Sequence, residues 1–392
     1  MAKQPIIERI ELTVFQYAVQ NLRGRGFGYD MSYEKGPGTP FTKFALRIFT
    51  DQGVTGEYVP GWVGNAISMA QVEYLSGYLL GQPALERERF YSDMNRALRQ
   101  WDRMGVGPLD ICLWDLAGKF HNAPVHQLIG GYRMKLPAYA STYHGDRNGG
   151  LDSSEAFAAF ARRCQDMGYP AFKIHGWVDG NVEEEIKTVL AVRRAVGDKM
   201  DLMLDPACTM KTWADALKLG RACDEAHYLW YEDAYRDKGI SIHGQRRLKE
   251  FLKTPILITE HTRGLEHIVD VIAAEATDFV RVDPEYDCGI TGALKIASAA
   301  EGFGLDCEVH ACGPAHRHLM SALRNSNYYE LALVHPDMAN AVPPVYADGY
   351  ADQLDSIDKN GCVDVPTGPG LGVTYDWKKI DKWTVGKKEF KR

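Results

Sequence analysis

Apolar and polar positions alternate along residues 7–20 (IERIELTVFQYAVQ) and 42–50 (TKFALRIFT), the period of a half-buried strand. The turn at 51–58 (DQGVTGEY) follows, with Gly53 making the tight connection. From about 66 to 121 the pattern becomes helical, and Leu109, Cys112, Leu113 and Leu116 of PLDICLWDLAGKF share one face. A turn at Gly130–Gly131 closes this first unit. From 136 onward short apolar runs alternate with amphipathic segments. The predicted strands are 137–141 (PAYAS), 171–175 (AFKIH), 201–205 (DLMLD), 228–232 (YLWYE), 256–260 (ILITE), 278–283 (DFVRVD), 305–310 (LDCEVH) and 328–333 (YYELAL). Between them, Phe157, Phe160, Cys164 and Met167 share a helical face behind a capping box expected from Asp152 and Glu155. Leu265, Ile268, Val269 and Ile272 share another.

Strands alternating with helices predict a parallel (β/α) barrel, whose functional groups collect at the C-terminal ends of the strands. The expected architecture is an α/β fold: a modified TIM barrel over 133–340, with an α+β capping domain over 1–132 and a tail over 341–392 that returns to the cap. The stretch 23–40 (RGRGFGYDMSYEKGPGTP), rich in Gly, aromatic and charged residues, is long for a connection in a compact domain and reads as a lid, with a second lid segment near 60–66.

Three acids sit at the ends of successive apolar runs: Asp205, Glu232 and Glu260, spaced 27 and 28 residues apart. That interval is one strand–loop–helix–loop unit, so in a parallel barrel the three carboxylates meet at the C-terminal mouth. Converging carboxylates repel unless a cation lies among them, and an all-oxygen set favours Mg²⁺, one per chain, with Mn²⁺ as the alternative. Lys173 and His175 are two apart on one predicted strand and so point to the same face, the barrel interior. Asp283 and His310 are again 27 residues apart. A carboxylate on one imidazole nitrogen raises the basicity of the other, which suits a general base. Glu330 lies on the eighth strand, and His144 and His261 lie at the C-terminal end of the barrel, within reach of a substrate.

Composition narrows the partners. A net charge of −7 without a Lys/Arg cluster argues against nucleic acid. No apolar run approaches the length of a membrane span, and Glu8 and Glu11 interrupt the start where a signal peptide needs an apolar core. Eight cysteines without a CxxC pair read as buried thiols of a reducing compartment, so a cytoplasmic protein is expected.

The order Lys-x-His, Asp, Glu, Glu, Asp, His, Glu on successive strands resembles the enolase superfamily, in its mandelate racemase subgroup. TKFALRIFTDQGVTGE resembles the capping-domain strand and turn, LDICLWDLAGKFHNAPVHQLIGG the helix leading into the barrel, VRVDPEYDCGITGALKIASAAEGFGLDCEVH the sixth and seventh barrel strands, and VPTGPGLGV the C-terminal signature. The resemblance implies Mg²⁺ on Asp205, Glu232 and Glu260, Lys173 and Glu330 on the substrate carboxylate, and His310 with Asp283 as base. His175 stands where the family most often has a second Lys, as base on the opposite face. It also implies that 23–40, with Arg25 and Tyr29, closes over the site, with Trp62 as a second lid residue. Two further departures are Ala207, where Asn is frequent, and Cys288, where Gly is usual. The implied chemistry is α-proton abstraction from a small carboxylate through an enediolate. Dehydration of a sugar acid to a 2-keto-3-deoxy acid is the leading outcome, and a racemase, epimerase or cycloisomerase is the alternative. A catalytically silent sugar-acid-binding barrel is the contrasting class, and a homo-oligomer is expected.

Overall fold

The computed structural model describes residues 4–23, 31–36 and 38–392. In chain order the first elements are β1 (Ile7–Val19), β2 (Leu22–Arg23), β3 (Ser32–Tyr33), β4 (Thr39–Thr50), β5 (Thr55–Tyr58), α1 (Ala66–Leu79), α2 (Arg87–Ala97), α3 (Val106–His121) and α4 (Val125–Leu128). There follow β6 (Lys135–Thr142), α5 (Ser154–Met167), β7 (Ala171–His175), α6 (Val182–Val196), β8 (Asp201–Asp205), α7 (Trp213–Glu225), β9 (Trp230–Glu232), α8 (Ile242–Phe251), β10 (Ile256–Ile258) and α9 (Leu265–Ala273). The chain continues through β11 (Phe279–Val282), α10 (Gly289–Gly302), β12 (Asp306–Val309), α11 (Pro314–Ala322), β13 (Tyr329–Val334), β14 (Cys362–Asp364), α12 (Trp377–Trp383) and β15 (Thr384–Lys391).

Strands β6 to β13 form a parallel sheet in the order β12-β11-β10-β9-β8-β7-β6-β13, nearly closed into a barrel with helices outside. A separate antiparallel sheet, β15-β1-β4-β5, forms the cap. Its alternation is visible in β1, where Ile7, Ile10, Leu12 and Phe15 are buried and Glu8 and Gln16 are exposed. The last strand pairs with the first, Arg9 opposite Lys391, whereas β14 pairs with β6 of the barrel. Helix α3 is buried from Val106 to Gly118, wider than the single face read from the sequence, because it is sandwiched between cap sheet and barrel. The Asp110 carboxylate and the Trp114 indole both bond the Thr291 hydroxyl of α10, at 2.6 and 2.9 Å.

Several expected strands end early. The ladder of β10 stops at Ile258 because Thr259 takes φ +96° and leaves the sheet, so Glu260 stands just beyond it. Asp283 and His310 likewise follow the last residues of β11 and β12. The capping box expected from Asp152 and Glu155 is not formed. Ser153 is the cap, its hydroxyl accepting from the N–H of Ala156, and Glu155 falls in the first turn, where it faces the positive end of the helix. Cys288 has φ +61°, the left-handed backbone for which Gly is the ordinary residue.

Below the mouth the barrel is plugged by Tyr139, Ala171, Met203, Trp230 and Leu257. Above the plug, the chain leaving β7 is held by Glu185 of α6, whose Oε1 accepts from the Trp177 N–H at 2.5 Å. Burial raises the Glu185 pKa from the ordinary 4.5 to about 8. The fold therefore holds a proton that the unfolded chain has released over that interval. Relative to Glu185→Gln, the wild type should lose stability at up to ~1.4 kcal/mol per pH unit between those values. Parallel urea titrations across pH check this, and identical pH slopes would contradict it.

Candidate active site

Side chains of the barrel strands point inward at every second residue, and the inward rows change from apolar to charged on rising toward the mouth. On β11 the row reads Phe279, Arg281, Asp283; on β7 it reads Ala171, Lys173, His175. Lys173 and Arg281 are wholly buried. The Lys173 ammonium lies 3.0 Å from Glu232, 3.0 Å from Glu330 and 3.7 Å from Asp205. Arg281 grips Glu232 with two nitrogens, at 2.7 and 2.5 Å. Burial alone would lower the Lys173 pKa, but Glu232 and Glu330 outweigh it and hold the ammonium charged. Burial alone would raise that of Glu330, and Lys173 with Arg281 reverses this and keeps it well below the usual carboxylate range.

Asp205, Glu232 and Glu260 each bring an oxygen to within 4.8 Å of the other two. On Glu232 the Oε2 atom takes Arg281, Lys173 and the Trp230 indole, while Oε1 takes Arg281 alone and keeps lone-pair capacity. Counting charge, these three carboxylates and Glu330 face two permanent cations, Lys173 and Arg281. These two fixed cations leave two negative charges over, the charge of one divalent ion, with His310 beside Glu260 as a further, titratable cation. Donor set and charge balance both fit a hard cation such as Mg²⁺.

Facing this cluster, His310 places Nδ1 2.6 Å from Asp283 Oδ2 and Nε2 3.5 Å from Glu260. Asp283 is also approached by the buried His316 at 3.2 Å and accepts the Glu285 N–H at 2.6 Å. Burial would raise the Asp283 pKa, but the two histidines pull it well below the ordinary range. Burial would lower that of His310, and Glu260, Asp283 and Glu330 instead push it up to about 9. His175 reaches the cluster from β7, its Nε2 3.2 Å from Asp205 and its Nδ1 2.7 Å from the Thr142 carbonyl.

Asp205, Glu260, Glu330, His175 and His310 open into a cavity of about 370 Å³, also lined by His144, His261, Lys43, Trp62 and Met31. His144 is buried, with Nδ1 3.1 Å from the Gly176 carbonyl and its ring edge-on to His175. His261 pairs with Asp233 at 3.2 Å. Trp62 donates its indole N–H to the Cys312 carbonyl at 3.0 Å. Arg25 and Tyr29, expected in the lid, lie outside the described residues.

Three features of the site escaped the sequence reading. Arg281 was within reach of it, since it stands two residues before Asp283 on one strand. Lys43 and Glu285 carry no local signal. Lys43 lines the cavity and donates to the Gly61 carbonyl at 2.7 Å. Glu285 is buried in the loop after β11 and binds the cap segment beside Trp62. It accepts from the Tyr58 hydroxyl at 2.6 Å and from the N–H groups of Gly61, Trp62 and Val63 at 2.8–2.9 Å. The cap approaches this loop so closely that a Cβ on Gly107 would lie 2.1 Å from the Glu285 carbonyl oxygen.

Comparison with known proteins gives the class of this capped parallel barrel. Residues 156–379 match the enolase C-terminal domain-like family, and residues 42–130 match the mandelate racemase / muconate lactonizing enzyme N-terminal domain. The chain belongs to the mandelate racemase / muconate lactonizing enzyme family of the enolase superfamily, and it is an enzyme. It is similar to D-glucarate dehydratase from Agrobacterium tumefaciens, solved with magnesium, at 30% identity and a TM-score of 0.86, covering 98% of this chain and 100% of that one. It is 27% identical to D-galactarolactone cycloisomerase of Agrobacterium fabrum, over 86% of this chain and 92% of that protein. It is 25% identical to arabinonate dehydratase of Saccharolobus solfataricus, over 86% and 88%. Among the described residues no helix is long and apolar enough to cross a membrane.

Removing the Glu285 carboxylate strands four donors at the joint between cap and barrel. Glu285→Ala should lower unfolding stability by roughly 3 kcal/mol or more while far-ultraviolet dichroism stays native. Urea denaturation measures it, and a loss under about 1 kcal/mol, the worth of one ordinary hydrogen bond, would show that the joint is held by other contacts.

Proposed function

We propose that the protein removes the α-proton of a sugar-acid carboxylate and expels the β-hydroxyl as water, giving a 2-keto-3-deoxy acid. The observation that carries this reading is the His310–Asp283 pair at 2.6 Å, its free nitrogen turned toward the carboxylate cluster. Asp283 fixes the proton on Nδ1, which leaves the Nε2 lone pair to accept the α-proton. Lys173 and Glu330, 3.0 Å apart, meet the substrate carboxylate, Lys173 offsetting the second negative charge that grows there. Glu330, ionised beside Lys173 and Arg281 in the free protein, hydrogen-bonds the substrate carboxylate only once that second negative charge has driven a proton onto it. His175, across the cavity, returns a proton to the departing hydroxyl.

Asp205, Glu232 and Glu260 would hold Mg²⁺, which acts when bound as a Lewis acid on the substrate carboxylate. Lys43 and Trp62 line the cavity from the cap side. Dehydratases among the similar proteins support the elimination. The cycloisomerase supports the alternative in which the same anion is reprotonated or cyclises, with His175 as the second proton carrier.

Proton NMR in D₂O with Mg²⁺, over mono- and diacid sugars and 2-hydroxy acids, tests the reading. Loss of water from one acid is the expected outcome. Deuterium exchange or inversion alone would establish the isomerase, and inert behaviour of every acid would overturn the sugar-acid reading. On the responsive acid, His310→Asn should cost about 10²- to 10⁴-fold in turnover. Turnover should rise with pH on the limb where His310 loses its proton, because only neutral imidazole is a base. Mg²⁺ should raise the melting temperature of the wild type, and Asp205→Asn should abolish that rise. An equal rise in the variant would remove Asp205 from the ligand set.

A further inference from the structure

The pocket wall carries a second group of ligand atoms of different chemistry, beside the three carboxylates. Cys208, Asp233 and His261 each offer one ligand atom, and these lie within 4.8 Å of one another. They belong to the loops that follow β8, β9 and β10, consecutive strands of the sheet. Asp233 is 1% exposed, yet apart from the His261 contact neither of its oxygens accepts a hydrogen bond among the described residues. Among the described residues its ion-pair partner is His261, at 3.2 Å. Buried carboxylates ordinarily gather several donors, so a carboxylate left with His261 and a thiol has the surroundings of a metal ligand.

The backbone presents the thiol to this group. Ala207 and Cys208 take φ +47° and +62°, and the Cys208 N–H donates to the Asp233 carbonyl at 2.8 Å. Asp233 and His261 line the cavity, which provides a route for an ion from the substrate side. The set mixes sulfur, nitrogen and oxygen. Thiolate and imidazole select a borderline-soft ion, whereas Mg²⁺ keeps to oxygen ligands. Three protein ligands are the number found where zinc keeps a fourth position open.

We propose that Cys208, Asp233 and His261 form a second cation site, for a borderline-soft divalent ion such as Zn²⁺, separate from the three-carboxylate cluster. Binding releases the Cys208 thiol proton to solvent, and also that of His261 where it is charged, so that thiolate, neutral imidazole and carboxylate ligate together. His261 Nε2 lies 3.9 Å from Glu260, so an ion in this site adds positive charge at the edge of the first cluster. The site is defined by its ligands alone and does not rest on the reaction assigned above.

The probe is Co²⁺, added to protein already saturated with Mg²⁺ so that the carboxylate cluster is filled. The wild type should develop a thiolate-to-cobalt charge-transfer band with one equivalent bound, and Cys208→Ser should lose it while its circular dichroism stays native. Absence of the band in the wild type would overturn the proposal, as would an equally strong band in the variant. An assay on the unaltered chain gives the same decision should the variant fail to fold. Of the eight cysteines only Cys208 and Cys362 are partly exposed. Zn²⁺ should slow alkylation of Cys208, mapped by peptide mass, and leave Cys362 unchanged; equal rates at Cys208 with and without Zn²⁺ would overturn the site.

Discussion

The barrel interior depends on a charge balance that is left two short. Lys173 and Arg281 are inserted into a ring of carboxylates where water does not reach, and each is held charged by the acids around it. A buried ion without a partner costs several kcal/mol, so neither cation nor its acids are separately tolerable there. The geometry of Glu232 follows from this. Arg281 and Lys173 pin it between them, and a carboxylate so pinned does not turn away when its neighbours Asp205 and Glu260 repel it. The two negative charges that Lys173 and Arg281 leave over give the mouth the charge that suits a divalent cation.

The same constraint ties the cap to the barrel. Glu285 follows Asp283 by two residues, so the loop that orients the His310 partner also receives Tyr58, Gly61, Trp62 and Val63 from the cap. The cap segment that walls the cavity and the carboxylate partner of His310 are thus tied to one short loop. A displacement of the cap segment is felt at Asp283 through only two peptide units.

Much of this was legible in the chain. The spacing of Asp205, Glu232 and Glu260 follows from the length of one βα unit, and β7 and β8 begin and end where the apolar runs do. Strand ends were less legible where the backbone breaks the pattern, as at Thr259, whose positive φ no local propensity announces. Ala207 and Cys208 are alike in this, both held left-handed by loop contacts. Contacts between distant segments left no trace in periodicity. Glu285 meets Tyr58 across 227 residues, and Lys43 enters the cavity from a cap strand whose alternation marks it only as half-buried.

The pairing of β15 with β1 sets the point in synthesis at which the cap sheet can be completed. Strand β1 ends at Val19 and β15 begins at Thr384, 365 residues later. At about 5–20 residues per second, synthesis leaves the outer edge of β1 without its partner for roughly 20–70 s. Such an edge is a template for pairing with another chain. The residues that β1 turns to solvent include Glu8 and Gln16, with Arg9 and Glu11 half-covered by the finished sheet. Of these, Glu8, Arg9 and Glu11 put charge along the strand, the means by which exposed strand edges resist pairing with another chain.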